Sequence, residues 1–250
     1  MALDLPEKTE ITELIPLGAK QQVLYETVRM AMDARVREAI AARGLQGSQI
    51  TILDALLKMR QACCDPLLLK DGARLEEGAK RDRLMDMLEA LVQEGRKVLV
   101  FSQFVQMLRL IETDIASRGW SYEWLTGDTV DRDGAVTRFQ SGSAHIFLIS
   151  LKAGGVGLTL TEADTVILYD PWWNPAVERQ AMDRAHRIGQ TKAVFVYRLV
   201  AEGTVEEAIL SLQARKQALA DALFDGGSAD PIGLDMDIIG ELFRPLAKGG

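Results

Sequence analysis

In the last third of the chain three side chains are spaced so that they could act together. Gln180, Arg184 and Arg187 recur at intervals of four and three, which on a helix sets them along one face. A planar guanidinium meets phosphate oxygens with two parallel hydrogen bonds, so two arginines beside an amide suit an anionic partner. Upstream lies Ala153-Gly154-Gly155-Val156-Gly157, where glycines let the backbone approach a ligand closely. The same residues also fit a solvated helix face on which the arginines pair with Glu178 or Asp183, since surface ion pairs are common.

These side chains need strand ends and a helix start to position them. Ile146-Phe147-Leu148-Ile149 is short, apolar and rich in β-branching, the pattern of a buried strand, and Val166-Ile167-Leu168-Tyr169 repeats it. Asn174 as N-cap and Pro175 at the first helical position predict a helix that carries the three side chains and ends at Gly189. The alternation extends both ways: a helix over 82–93, a strand over 97–101, a helix over 105–118, a strand over 122–125, a helix over 132–140 and a strand over 193–200. This rhythm predicts an α/β fold, a doubly wound and mainly parallel sheet of five to seven strands.

Ahead of the sheet, residues 5–19 read as an extended lead-in broken by Pro6 and Pro16. Helical periodicity over 20–43 and 50–64, interrupted by Gly44 and Gly47, predicts an added helical subdomain. Behind it, Thr204 caps a long helix from Val205 to about Phe224, with Glu206 and Glu207 near its positive end. The organisation expected is a lead-in and helical insertion over 1–70, the sheet domain over 71–203, the long helix over 204–225, and a linker and tail over 226–250.

Composition sets limits without naming a function. With 48% hydrophobic and 26% charged residues, the chain can bury a globular core. Cys63 and Cys64 are adjacent, so they seldom pair and cannot alone complete a four-ligand zinc site; reduced thiols are the expectation. A formal net charge of −7 argues against a generally basic surface, though it permits a local basic patch. The acidic N-terminus is no signal peptide, and no apolar run reaches the length of a membrane span, so no membrane partner is expected. No GxxxxGK followed by Ser or Thr occurs, the glycine run fits no GxGxxG spacing, and no Asp-Glu-x-His stretch follows a strand.

Taken as whole strings, these segments resemble one family. QAMDRAHRIGQ resembles motif VI, and SLKAGGVGLTLTEADTVILYDPWWNP resembles motif V, of the Swi/Snf-type DNA-dependent ATPases in helicase superfamily two. KVLVFSQF resembles motif IV. LPEKTE, Gln22, Tyr25 and LLKMRQACCDPLLL resemble the helical insertion before the second motor lobe, with Asp65 where the family usually carries His. The helix after Thr204 resembles the family's brace helix.

The resemblance implies a RecA-like fold and the C-terminal motor lobe of an ATP-dependent double-stranded DNA translocase. ATP and Mg2+ would be held mainly by a first lobe that this chain lacks, so the chain alone is expected to bind neither and to be inactive. Arg184 and Arg187 would be arginine fingers with Gln180 beside them. Gly154, Gly155, Gly157 and Asp183 would lie at the nucleotide. Ser102, Gln103, Lys152 and Trp173 would meet DNA. The implied partners are duplex DNA, the first lobe of the same protein, and a nucleoprotein or polymerase target. The implied place is the cytoplasm, on the nucleoid in a bacterium, or the nucleus in a eukaryote. Two other readings stay open on the residues: a stand-alone α/β nucleotide-binding enzyme, against which the missing Walker lysine counts, and a non-catalytic helicase-like interaction module, against which the arginine pair counts.

Overall fold

A computed structural model describes residues 6–70, 75, 77–153, 158–223 and 235–246, without the side chains of 216–223. The elements in chain order are β1 (Lys8–Ile15), α1 (Ala19–Gly47), α2 (Gln49–Cys64), a 3-10 turn (Pro66–Leu68), α3 (Ala79–Gln93), β2 (Val98–Ser102), α4 (Val105–Ser117), β3 (Tyr122–Leu125), α5 (Arg132–Ser141), β4 (Ile146–Ser150), β5 (Thr165–Leu168), α6 (Pro175–Met182), β6 (Val194–Ala201), α7 (Val205–Leu223) and α8 (Met236–Leu242). They form two compact units, Met1–Ile15 with Lys80–Val200 and Pro16–Ala79 with Ala201–Gly250.

The first unit is built on a six-stranded sheet of order β1-β6-β5-β2-β4-β3. Every neighbouring pair from β6 to β3 is parallel, as the strand–helix alternation predicts. β2, β4 and β5 are buried along their whole length, which is why they read as continuous apolar runs: helices cover both faces of such a sheet. Successive side chains point to opposite faces. Leu99, Phe101, Phe147, Ile149, Val166 and Leu168 therefore share one core with Phe139 of α5 and Ala181 and Met182 of α6. α4 contacts β2 and β4 and buries Met107, Leu108, Ile111 and Ile115.

Two details of this unit differ from the sequence reading. The lead-in is an edge strand, entered where the Glu7 carbonyl accepts the Val194 N–H at 2.9 Å. The helix expected over 82–93 begins earlier, at Ala79, and Lys80 in its first turn is fully buried. Its ammonium sits 4.8 Å from the centre of the Tyr169 ring, whose electron-rich face makes burial of the cation tolerable.

In the second unit α1 and α2 pack as a helical pair. Gly44 breaks α1 with φ +70, a left-handed conformation that glycine adopts without strain. Cys63 and Cys64 are buried free thiols. Asp65 is also buried, and its carboxylate accepts the Leu67 N–H at 2.9 Å, capping the 3-10 turn; this gives the family departure a local structural role. The start of α7 is held by the Thr204 hydroxyl, which accepts the Glu206 N–H at 3.2 Å, and by the Tyr25 hydroxyl, which accepts the Val205 N–H at 2.8 Å.

Candidate functional site

The helix carrying the site starts as its sequence dictates. Pro175 occupies the first turn of α6, and the Asn174 side chain accepts the Ala176 N–H at 2.9 Å. It stops at Met182, however, and does not run on to Gly189. The carbonyls that a longer helix would use are claimed by other segments: Leu160 N–H donates to Arg184 O at 2.9 Å, and the Gln190 amide donates to Ala185 O at 3.0 Å. The Gln190 amide also donates to Ala163 O at 2.8 Å, and its oxygen accepts the N–H groups of Thr191 and Lys192, each at 2.9 Å. Gln190 thereby pins the turn that Gly189 closes with φ +104. The single helical face expected for Gln180, Arg184 and Arg187 is corrected accordingly: Gln180 lies on α6 and both arginines lie on the turn after it.

Within that turn the two arginines differ. Gln180, Asp183 and Arg187 are exposed. Arg184 is only 8% exposed, so the alternative of a solvated face on which both arginines pair with carboxylates fails for it. One Nη group donates to Leu158 O at 3.2 Å, while Nε is buried without a hydrogen-bond partner. Its pKa is lowered, first by burial and then by the charge of Arg187, with Asp183 acting the other way. Glu178, the alternative partner for the arginines, is engaged elsewhere. Leu158 and Leu160 follow the glycine run directly, so the arginine turn packs on the segment that leaves it. Gly154, Gly155 and Gly157 themselves lie outside the described residues.

The ends of β2 and β5 form a second polar cluster. Ser102 is fully buried; its hydroxyl donates to the Asp170 carboxylate and accepts the Phe104 N–H at 3.1 Å. Asp170, also buried, accepts the Gln103 N–H at 3.3 Å. Ser102, expected at DNA, is therefore turned inward, with its hydroxyl already committed. Gln103 and Trp173 are half-buried and Lys152 is exposed. The parallel register aligns Ser102 with Ser150 and Phe101 with Leu168. Gln103, Lys152 and the Trp172–Trp173 loop consequently leave from the same, C-terminal edge of the sheet.

A third group joins residues that the sequence did not place together. Glu178 is 3% exposed; one carboxylate oxygen accepts the Trp172 N–H at 2.8 Å and the other accepts Arg198 Nε at 3.0 Å. Arg198 also donates to Glu10 at 2.9 Å, and Glu10 pairs with Lys8 at 2.8 Å. Burial disfavours the charge on Arg198, and the two carboxylates more than offset that, leaving its pKa raised. Asp170, Glu178, Gln190 and Arg198 act through contacts between segments far apart in sequence, which no spacing rule exposes.

Residues 79–189 match the helicase conserved C-terminal domain. The SWI2/SNF2 ATPase C-terminal domain of Sulfolobus solfataricus aligns with 96% of this chain and 99% of its own length, at a TM-score of 0.75 and 29% identity. The chain belongs to the Swi/Snf branch of helicase superfamily two. Its six-stranded sheet is the RecA-like sheet of the C-terminal lobe in that family. This Swi/Snf lobe is 34% identical over 233 residues to the CHD3-type chromatin-remodeling factor PICKLE of Arabidopsis thaliana, covering 86% of this chain but 16% of that protein. It is also similar to the Sulfolobus solfataricus SWI2/SNF2 ATPase core in complex with dsDNA, with 30% identity and a TM-score of 0.76 over 98% of this chain and 52% of that one. Among the described residues no group of His, Cys, Asp and Glu could hold a metal ion, and no helix is long and apolar enough to cross a membrane.

Proposed function

We propose that this lobe completes a composite ATP site in a two-lobed motor that moves along duplex DNA. The observation that carries the reading is Arg184: a buried guanidinium with an unmet donor, beside the like charge of Arg187. Desolvating a cation is costly unless an anion or a full set of acceptors compensates. A triphosphate presented by a first lobe fits that need, and both the P-loop and the acidic motif for Mg2+ are lacking from this sequence. When bound, the nucleotide brings a γ-phosphate whose developing charge a guanidinium can neutralise. Arg187, exposed, is suited to reach across as a finger, with Gln180 and Asp183 orienting it and Arg184 beside it as the second arginine of the pair. Gly154, Gly155 and Gly157 would approach the nucleotide, and Gln103, Lys152 and Trp173 would face DNA. The proposed setting is nucleoprotein, on a nucleoid or in a nucleus, with a nucleoprotein complex or polymerase as the target.

Steady-state phosphate release tests this reading. The chain alone is expected to show negligible ATPase activity with or without duplex DNA, and DNA-stimulated activity is expected once it is joined to a first lobe. DNA-stimulated turnover by the chain alone, well above a heat-killed control, contradicts it.

A further inference from the structure

The carboxylate of Glu178 plays no part in the reading above, yet it is among the most constrained charges in the lobe. Removing it from water gives little or no stability over a well-packed apolar residue of the same size. What it does achieve is geometric. Glu178 lies on α6 and reaches back past the helix N-terminus to the Trp172 N–H, while its second oxygen is fixed by Arg198 of β6. Arg198 is itself fixed by Glu10 of β1. The Trp172 ring packs on the core, so with its N–H tied down the backbone entering Trp173 is held at two points. The same helix runs directly into the turn that bears Arg184 and Arg187.

We propose that Glu178 is a positioning residue that locks the Trp172–Trp173 loop to α6 and the sheet, coupling a DNA-facing side chain to the arginine turn. The inference rests on the reading that Trp173 meets DNA. Without the carboxylate, Trp173 loses its fixed place while the arginines remain, so ATP is hydrolysed with less movement gained per turnover.

The test is performed on the two-lobed protein and reads the ratio of triplex strands displaced to ATP hydrolysed. That ratio does not depend on how much protein is folded, so loss of folded protein alone leaves it unchanged. Four single variants are compared: Trp173→Ala, Glu178→Ala, Glu178→Asp and Glu178→Gln. The aspartate keeps the charge beside Arg198 but is one methylene too short to hold both partners, and it protects the test should the alanine variant fold poorly. Trp173→Ala, Glu178→Ala and Glu178→Asp are each expected to lower the ratio about fivefold or more, the scale of a coupling between sites. Glu178→Gln still offers an acceptor to the Trp172 N–H but turns an amide N–H toward the Arg198 donor, so the tie to the sheet is lost and the ratio is expected to fall about as far as in Glu178→Asp. Combining Trp173→Ala with Glu178→Asp is expected to add nothing, because both act on one element.

A preserved ratio in Glu178→Asp, alongside a reduced one in Trp173→Ala, overturns the positioning role and leaves the DNA reading intact. A preserved ratio in Trp173→Ala removes the DNA reading of Trp173; a fall with Glu178→Asp alone then also overturns coupling through that side chain.

Discussion

Two polar clusters of the sheet unit, both buried, differ in how complete they are. At the ends of β2 and β5, Asp170 accepts from the Ser102 hydroxyl and the Gln103 N–H, and the Ser102 oxygen accepts from Phe104. In the turn after α6, Arg184 reaches a single carbonyl, keeps an unmet Nε donor, and has a second cation for a neighbour. The first arrangement fixes backbone and is satisfied within the lobe. The second is left incompletely compensated within the lobe, which fits the proposed partner that brings negative charge. Perturbed, incompletely satisfied charges of this kind gather at functional sites, where stability is commonly traded for activity. The contrast therefore separates residues that hold the site from residues that await something.

The contrast can be broken most visibly at Arg187. In the two-lobed protein Arg187→Ala is expected to cut turnover by roughly 10³-fold or more while leaving ATP affinity nearly intact, as loss of a finger does in other nucleotide hydrolases. Turnover and nucleotide affinity measured on the same variant check this, and a change of only a few-fold makes Arg187 a surface charge. At the satisfied cluster the effect falls on folding instead. Asp170→Ala strands the buried Ser102 hydroxyl and the Gln103 N–H, and urea unfolding of the chain is expected to show a loss of about 2–3 kcal/mol. An unfolding midpoint equal to wild type would mean that the cluster holds nothing. The smallest expected effect is at Lys152, exposed at the C-terminal edge of the sheet. Lys152→Ala should weaken duplex binding alike across sequences and lower the salt slope by about one unit if it contacts a phosphate. An unchanged slope places it elsewhere.

Much of this was legible in the sequence because the signals are local. β2, β4 and β5 are apolar runs of strand length, Asn174-Pro175 is a helix start, and Gly44 breaks α1 where a glycine should. The end of α6 was not legible. Residues 183–189 carry nothing unfavourable to helix until Gly189, and the chain leaves the helix because Leu160 and Gln190, from other segments, take its carbonyls. The same limit hid the inward turn of Ser102. A serine at a strand end reads as a surface donor until Asp170, 68 residues away, is folded against it. Glu178 looked like a partner for Arg184 from helical spacing, and only the return of β6 gave it to Arg198.

The central claim is that the arginine turn is an anion site left incomplete within this lobe, and the unfolding free energy of Arg184→Met in the chain alone tests it most directly. Methionine fills much of the same volume and removes the desolvated charge with its unmet donor. If the turn awaits an anion, the variant is expected to be as stable as wild type to within about 1 kcal/mol, or more stable, as when buried charges are replaced by apolar side chains elsewhere. A loss of about 3 kcal/mol or more, the usual result of breaking a buried, fully compensated charge, would show that Arg184 is already satisfied by its own lobe and would contradict the account.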